Sequence, residues 1–214
     1  MIVKTGDADR FAANPPATLK AALFYGPDQG LVHERAEKMA KSVVDDLSDP
    51  FRVVDFEESA LASDGAKLFD EAAAISMLGG RRVIRIRTGA NALAKLFESG
   101  REDAVLDALV VVEGGDRAKN ASLRKIFEDA DNAAAIACYG DTAQNLSGVV
   151  RDALKAEGLT ISAEALDDAV SRLGSDRGVT RRELEKLALY AHGQKNVGIE
   201  DVRAVMGDEA EVRV

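Results

Sequence analysis

Up to Tyr139 the chain alternates between short apolar runs and amphipathic stretches, an order that few folds accommodate. Five short apolar runs rich in β-branched or aromatic residues read as buried strands: Ala21–Tyr25, Arg52–Phe56, Arg82–Arg87, Leu109–Val112 and Ala134–Tyr139. Helical patterns separate them. The clearest spans Gln29–Leu47, where Val32, Ala36, Met39, Ala40, Val43 and Leu47 recur at helical spacing and Asp28 can serve as N-cap. Ala66–Leu78, Asn91–Glu98 and Ala121–Ala130 fit further helices. Strands joined through helices need crossover connections, so the expected fold is α/β, a doubly wound and mainly parallel sheet with helices on both faces.

After Tyr139 the strand signal stops, and the polar stretch Gly140–Asn145 reads as a linker. The rest of the chain is expected to be all helical. Leu146, Val149, Val150, Ala153 and Leu154 form one apolar stripe. Leu166, Ala169, Val170 and Leu173 form another, capped by Ser162 with Ile161 placed to staple onto Leu166. Thr180-Arg-Arg-Glu183 has the form of a capping box opening a third helix, and Ile199–Val205 is a short fourth. The expected division is an α/β domain over residues 1–141 and a small helical domain over residues 142–214.

Composition narrows the class of function. With 46% hydrophobic and 30% charged residues the chain reads as globular rather than disordered. A formal net charge of -9 argues against a surface given over to phosphate neutralisation, although a local basic patch stays open. Cys138, His33 and His192 have no metal-ligand spacing, so neither a zinc site nor a disulfide is expected. The first residues, MIVKTGDADRF, carry charge where a signal peptide needs its apolar stretch, and the sequence contains no membrane-length apolar run; the expected location is cytoplasmic.

The first strand runs into Gly26-Pro-Asp-Gln-Gly30-Leu31-Val32 and then a long helix, the place where a phosphate-binding loop belongs. A working loop of the G-x-x-x-x-G-K-[ST] kind uses backbone amides to cradle phosphates, a lysine to neutralise them and a hydroxyl to hold magnesium. Here the spacing is one residue short. Leu31 and Val32 stand in the lysine and hydroxyl places, and Asp28 would set a carboxylate beside incoming phosphates. The segment Gly26, Asp28, Gly30, Leu31 therefore reads first as a glycine-bearing strand-to-helix turn without a ligand, with a nucleotide site as the alternative. Glu113, at the end of the Leu109–Val112 run, and Asp116 stand where a nucleotide hydrolase keeps its magnesium-binding acids. Without a lysine such an acid has no phosphate partner, so Glu113 reads as structural or vestigial. Cys138 reads as a small buried hydrophobe, since no histidine is placed to activate it.

Four segments in this order carry a resemblance: LFYGPDQG at Leu23–Gly30, AAISMLGGRRV at Ala73–Val83, LVVVE at Leu109–Glu113 and TRRELEKLALY at Thr180–Tyr190. Together they resemble the delta subunit of bacterial DNA polymerase III, the clamp-opening subunit of the replicative clamp loader. The resemblance implies an AAA+-like sheet domain, a helical lid domain and a C-terminal helical collar. It implies a degenerate phosphate loop, no ATP hydrolysis, no cofactor and no catalytic residue of the chain's own within the polymerase III holoenzyme. The implied partners are the sliding clamp, the other clamp-loader subunits and primed DNA reached through the complex, with no membrane. Because the sequence stops at Val214, about where a collar would begin, a two-domain piece lacking the collar is expected. An ATPase or nucleotide kinase with an unusual loop, or a scaffold domain of another AAA+ assembly, are the alternatives.

On the same resemblance, Ile75, Ser76, Met77 and Leu78 match the clamp-binding stretch, with Met77 and Leu78 as the apolar plug. At about 100° per residue, Leu68, Ala72 and Ile75 would share one helix face and Met77 would lie roughly opposite Leu68, pointing outward. The competing reading is that the helix ends before Met77 and both residues fold inward. Gly79-Gly80 then closes the helix. Arg81, Arg82, Arg85 and Arg87 bracket the next strand as solvated or ion-paired residues, with a clamp or phosphate contact as the lesser reading. Arg181 and Arg182 are placed at a helix N-terminus, where a salt bridge or a neighbouring subunit would hold them.

Overall fold

The computed structural model describes residues 1–76, 79–88, 93–94, 97, 107–115, 121–140, 143–174 and 176–207. The chain divides into two compact units, Met1–Tyr139 and Gly140–Val214.

The first unit contains β1 (Ile2–Val3), α1 (Ala8–Ala13), β2 (Ala21–Tyr25), α2 (Gln29–Lys41), β3 (Val53–Glu57), α3 (Glu58–Ser63), α4 (Ala66–Ala73), β4 (Val83–Thr88), β5 (Leu109–Gly114), α5 (Ala121–Asp129) and β6 (Ala133–Ala137). The strands form one six-stranded sheet in the order β1-β6-β2-β5-β4-β3. Every pairing is parallel, which confirms the α/β doubly wound class. All five residues of the central β2 are buried, as expected of a strand covered on both faces. On one face Leu23, Ile84, Val110 and Ala135 pack with Leu68 and Ala72 of α4 and Phe127 of α5. On the other, Phe24, Val83, Val111 and Ile136 pack with Ala12 of α1 and Leu31, Val32 and Met39 of α2.

Several boundaries differ from those expected. β1 has no counterpart among the expected strands; it adds to the edge beside β6 with Ile2 opposite Ala135. α2 ends at Lys41 rather than Leu47. The Ser42 hydroxyl donates to the Met39 carbonyl (2.6 Å) and Arg52 donates to the Val43 carbonyl (2.9 Å), so side chains occupy the two carbonyls that the amides of residues 43 and 47 would need to extend the helix. Val44 and, in part, Val43 and Leu47 still pack on the core, which is why the periodicity runs on past the helix. α3 is likewise additional, and Asn91–Glu98 falls mostly outside the described residues.

The second unit contains α6 (Ala143–Ala156), β7 (Thr160–Ile161), α7 (Ala163–Arg172), α8 (Arg177–Tyr190), β8 (Asn196–Val197) and α9 (Ile199–Val205). Leu146, Val150, Leu154, Leu166, Ala169, Leu184 and Leu187 share one core, and Ser162 caps α7 through a bond from Ala165 N (3.2 Å). Two corrections apply. The unit is not all helical, because β7 and β8 pair in parallel across Thr160–Asn196 and Ile161–Val197. Thr180 is not a cap either: α8 starts a turn earlier, with Asp176 accepting from Val179 N (2.8 Å). Arg181 and Arg182 thus sit in the second turn of α8 rather than at its N-terminus. Among the described residues no helix is long and apolar enough to cross a membrane.

Candidate functional site

The turn after β2 is built by close approach of two backbones. Gly26 has φ +155°, and a Cβ there would lie 1.9 Å from the carbonyl oxygen of Cys138, beyond the end of β6. Only glycine lets β2 pass so near. The chain then enters α2 with Asp28 as N-cap. Its buried carboxylate accepts from Leu31 N (2.9 Å), so the amide a phosphate would use is already taken by an anion. The Gln29 side chain donates to the Gly26 carbonyl (2.8 Å) and braces the turn. Gly30 lies in the first turn of α2 and is half-buried. Leu31 and Val32 are each 1% exposed and belong to the core beneath α2, so neither points to where a nucleotide would lie.

Glu113, at the end of β5, is engaged from two sides. Its Oε2 accepts from Nδ1 of His33 (3.0 Å), while Oε1 lies 3.9 Å from Nη2 of Arg85, which also faces Asp55 at 3.4 Å. The structural reading of Glu113 fits this geometry. Nothing in the sequence pattern connects His33 to Glu113; the parallel β2–β5 pairing, with Phe24 opposite Glu113, is what brings α2 over that carboxylate. Asp116 lies outside the described residues. Cys138 is fully buried, and burial pushes its thiol up to about 11. Among the described residues no group of three or more His, Cys, Asp or Glu side chains could hold a metal ion.

The second candidate segment comes after α4, which stops at Ala73 instead of reaching Leu78. The amides of Asp107 (2.9 Å) and Ala108 (3.1 Å) donate to the Ala72 carbonyl, and Arg82 donates to the Glu71 carbonyl (2.9 Å). Those acceptors are not available to residues 75 and 76, and Ala74 turns extended with ψ 128°. Leu68 and Ala72 are buried as the helical phase requires, but Ile75 is 81% exposed because no helix carries it onto that face. The phase argument for Met77 loses its basis, and Met77 and Leu78 themselves lie outside the described residues. Ser76 is 9% exposed, and among the described residues its hydroxyl has no hydrogen-bond partner. Gly79 and Gly80 both adopt φ +76°, but since α4 already ends at Ala73 they form a separate turn and do not close the helix as expected.

The arginines after this turn are mostly engaged. Arg81 donates to the carbonyls of Leu19, Asp107 (3.1 Å) and Ala108 (3.3 Å), and its burial lowers its pKa from the ordinary value. Arg82 pairs with Glu71 (2.7 Å), Arg85 faces Asp55 and Glu113, and Arg87 is exposed.

No family model matches the chain. A probable DNA polymerase III subunit delta from Rickettsia prowazekii (strain Madrid E) is 24% identical over 191 residues, 89% of this chain and 57% of that protein. The chain thus spans little more than half the length of this relative. Among solved structures, the Bacillus subtilis DNA clamp loader delta protein superposes with TM-score 0.62 at 17% identity, covering 96% of this chain and 63% of that one. The Thermotoga maritima RuvB Holliday junction branch migration motor gives TM-score 0.64 at 14% identity, covering 95% and 68%. Domain III of the Thermotoga maritima replication initiation protein DnaA gives 0.56 at 14%, covering 96% and 92%. The chain therefore shares its fold with these three proteins, and in sequence and fold together it is similar to the delta subunit of bacterial DNA polymerase III.

Proposed function

We propose that this chain is a clamp-loader subunit that hydrolyses no nucleotide, docks on a sliding clamp through Ile75, Ser76, Met77 and Leu78, and helps open it for loading onto primed DNA. In this reading it acts together with other loader subunits and contributes positioning rather than catalysis to the polymerase III holoenzyme. The observation that carries the reading is Ile75. It is 81% exposed directly after α4, within the stretch that matches the clamp-binding segment of the delta subunit. A large apolar side chain held in solvent by a helix that stops short is suited to an apolar pocket on a partner. The loop chemistry agrees with the absence of hydrolysis: Asp28 occupies the α2 amide, Leu31 and Val32 are core residues, and Glu113 is bonded to His33.

The test is binding of the full chain to the sliding clamp of its own organism, measured by calorimetry. Truncating Ile75, Met77 and Leu78 together to alanine is expected to weaken binding by an order of magnitude or more. Unchanged affinity in a folded triple variant would reject the docking assignment.

A further inference from the structure

Beside Ile75 lies a pocket of about 320 Å³, lined among others by Lys20, Ser76, Arg81, Arg82 and Asp107. Lys20 directly precedes β2, Arg81 and Arg82 precede β4, and Asp107 and Ala108 precede β5. In a parallel sheet these starts share one edge, opposite the Gly26 turn at the strand ends, so the pocket is separate from the nucleotide-like loop.

The pocket is rich in donors and poor in acceptors. Arg81 is met only by carbonyl oxygens, and neither it nor Lys20 has a carboxylate within ion-pair distance among the described residues. The Ser76 hydroxyl and Nε of Arg82 are buried with no acceptor among the described residues. Arg82 is balanced by Glu71, so Lys20 and Arg81 exceed the single lining carboxylate, Asp107. Buried donors without acceptors beside a surplus of one cation, with Asp107 already acting on Arg81, call for one further oxyanion.

We infer that this pocket receives a carboxylate side chain of the protein on which Ile75 docks, held by the Lys20 ammonium and the Ser76 hydroxyl. The inference rests on the docking reading above. A protein carboxylate fits better than a nucleic-acid phosphate for two reasons. The chain's net charge of -9 and the lining Asp107 repel a polyanion more than a single carboxylate. An exposed apolar anchor on the same rim matches the apolar-centre, polar-rim build of protein interfaces, which a sugar-phosphate backbone lacks.

Calorimetry of the full chain with the sliding clamp, at low and moderate salt, separates the possibilities. Lys20→Glu is expected to weaken binding tenfold or more and to flatten its salt dependence. Ser76→Ala should weaken it a few-fold without lowering the unfolding midpoint, because the hydroxyl has no partner to lose. If charge reversal disturbs the fold, Lys20→Gln replaces it, with a loss of a few-fold expected. Loss of binding in Ile75→Ala but not in the Lys20 or Ser76 variants overturns the carboxylate site and leaves docking intact. No binding by the unmodified chain overturns both. Binding to a primed DNA duplex without clamp, abolished by Lys20→Glu, would assign the pocket to backbone phosphate and overturn the inference.

Discussion

Leu31 and Gly26 set the chemistry of the β2–α2 turn from opposite directions, one by filling the core and the other by leaving space. Because Leu31 is 1% exposed, Leu31→Lys would bury an ammonium instead of restoring a phosphate site. An unpaired buried charge is expected to cost about 3 kcal/mol or more, with no ATP affinity gained. Calorimetry with magnesium and ATP should give no saturable heat at micromolar nucleotide for either the unmodified chain or this variant. A saturable signal would restore the nucleotide-site reading. At Gly26 the strain is steric: an added Cβ meets the Cys138 carbonyl at 1.9 Å, so β2 and the end of β6 must part. Gly26→Ala is expected to destabilise the first unit by roughly 3 kcal/mol or more, read as a lowered denaturation midpoint. A midpoint within error of the unmodified chain would reject the steric role of Gly26. Cys138 offers an independent gauge of this packing. With its thiol buried and pushed up to about 11, it should resist alkylation at neutral pH until the unit unfolds.

Helix starts and stops are where sequence and structure part, and α8 gives the sharpest test. The pattern Thr180 to Glu183 has the spacing of a capping box, yet Asp176 holds the cap and both Thr180 Oγ1 and Glu183 Oε2 are buried without partners. Asp176→Ala should therefore cost about 1 kcal/mol, the ordinary loss of an N-cap. Thr180→Val should be neutral or stabilising, since it removes a hydroxyl that is already unsatisfied. Chemical denaturation of the two variants decides which residue caps the helix; the reverse order would restore the capping box. The interior of each long element was legible because burial on both sheet faces forces apolar runs such as Ala21–Tyr25, and the observed β2 has those same bounds. Ends were less legible because remote groups set them. The Asp107 and Ala108 amides that stop α4 come from a segment more than thirty residues on in the chain, so no local pattern announces them. Two-residue strands such as β1, β7 and β8 are too short to carry any period. At the candidate site, Asp28 as cap and Leu31 as a misplaced residue could be read directly. His33 on Glu113 and the unpartnered Ser76 could not, because both depend on which strands lie side by side.

At the scale of the molecule, the described apolar residues form separate cores: two against the faces of the six-stranded sheet and one inside the helical unit. Because each of Met1–Tyr139 and Gly140–Val214 has a core of its own, each unit is expected to unfold with its own cooperativity. We expect limited proteolysis to cut first between residues 140 and 145. The more demanding test perturbs one core and watches the other. Leu187 of α8 is 0% exposed and lies in the helical core, so Leu187→Ala should cost about 2–5 kcal/mol by leaving a cavity. That is a large share of the total stability of a small unit. Hydrogen exchange should then show amides of α7 and α8 losing protection while those of β2 and β5 keep theirs. Equal loss in β2 and β5 would mean that the two units unfold as one, and a change at the helical unit would then be felt at the edge of the sheet where Ile75 and Lys20 lie.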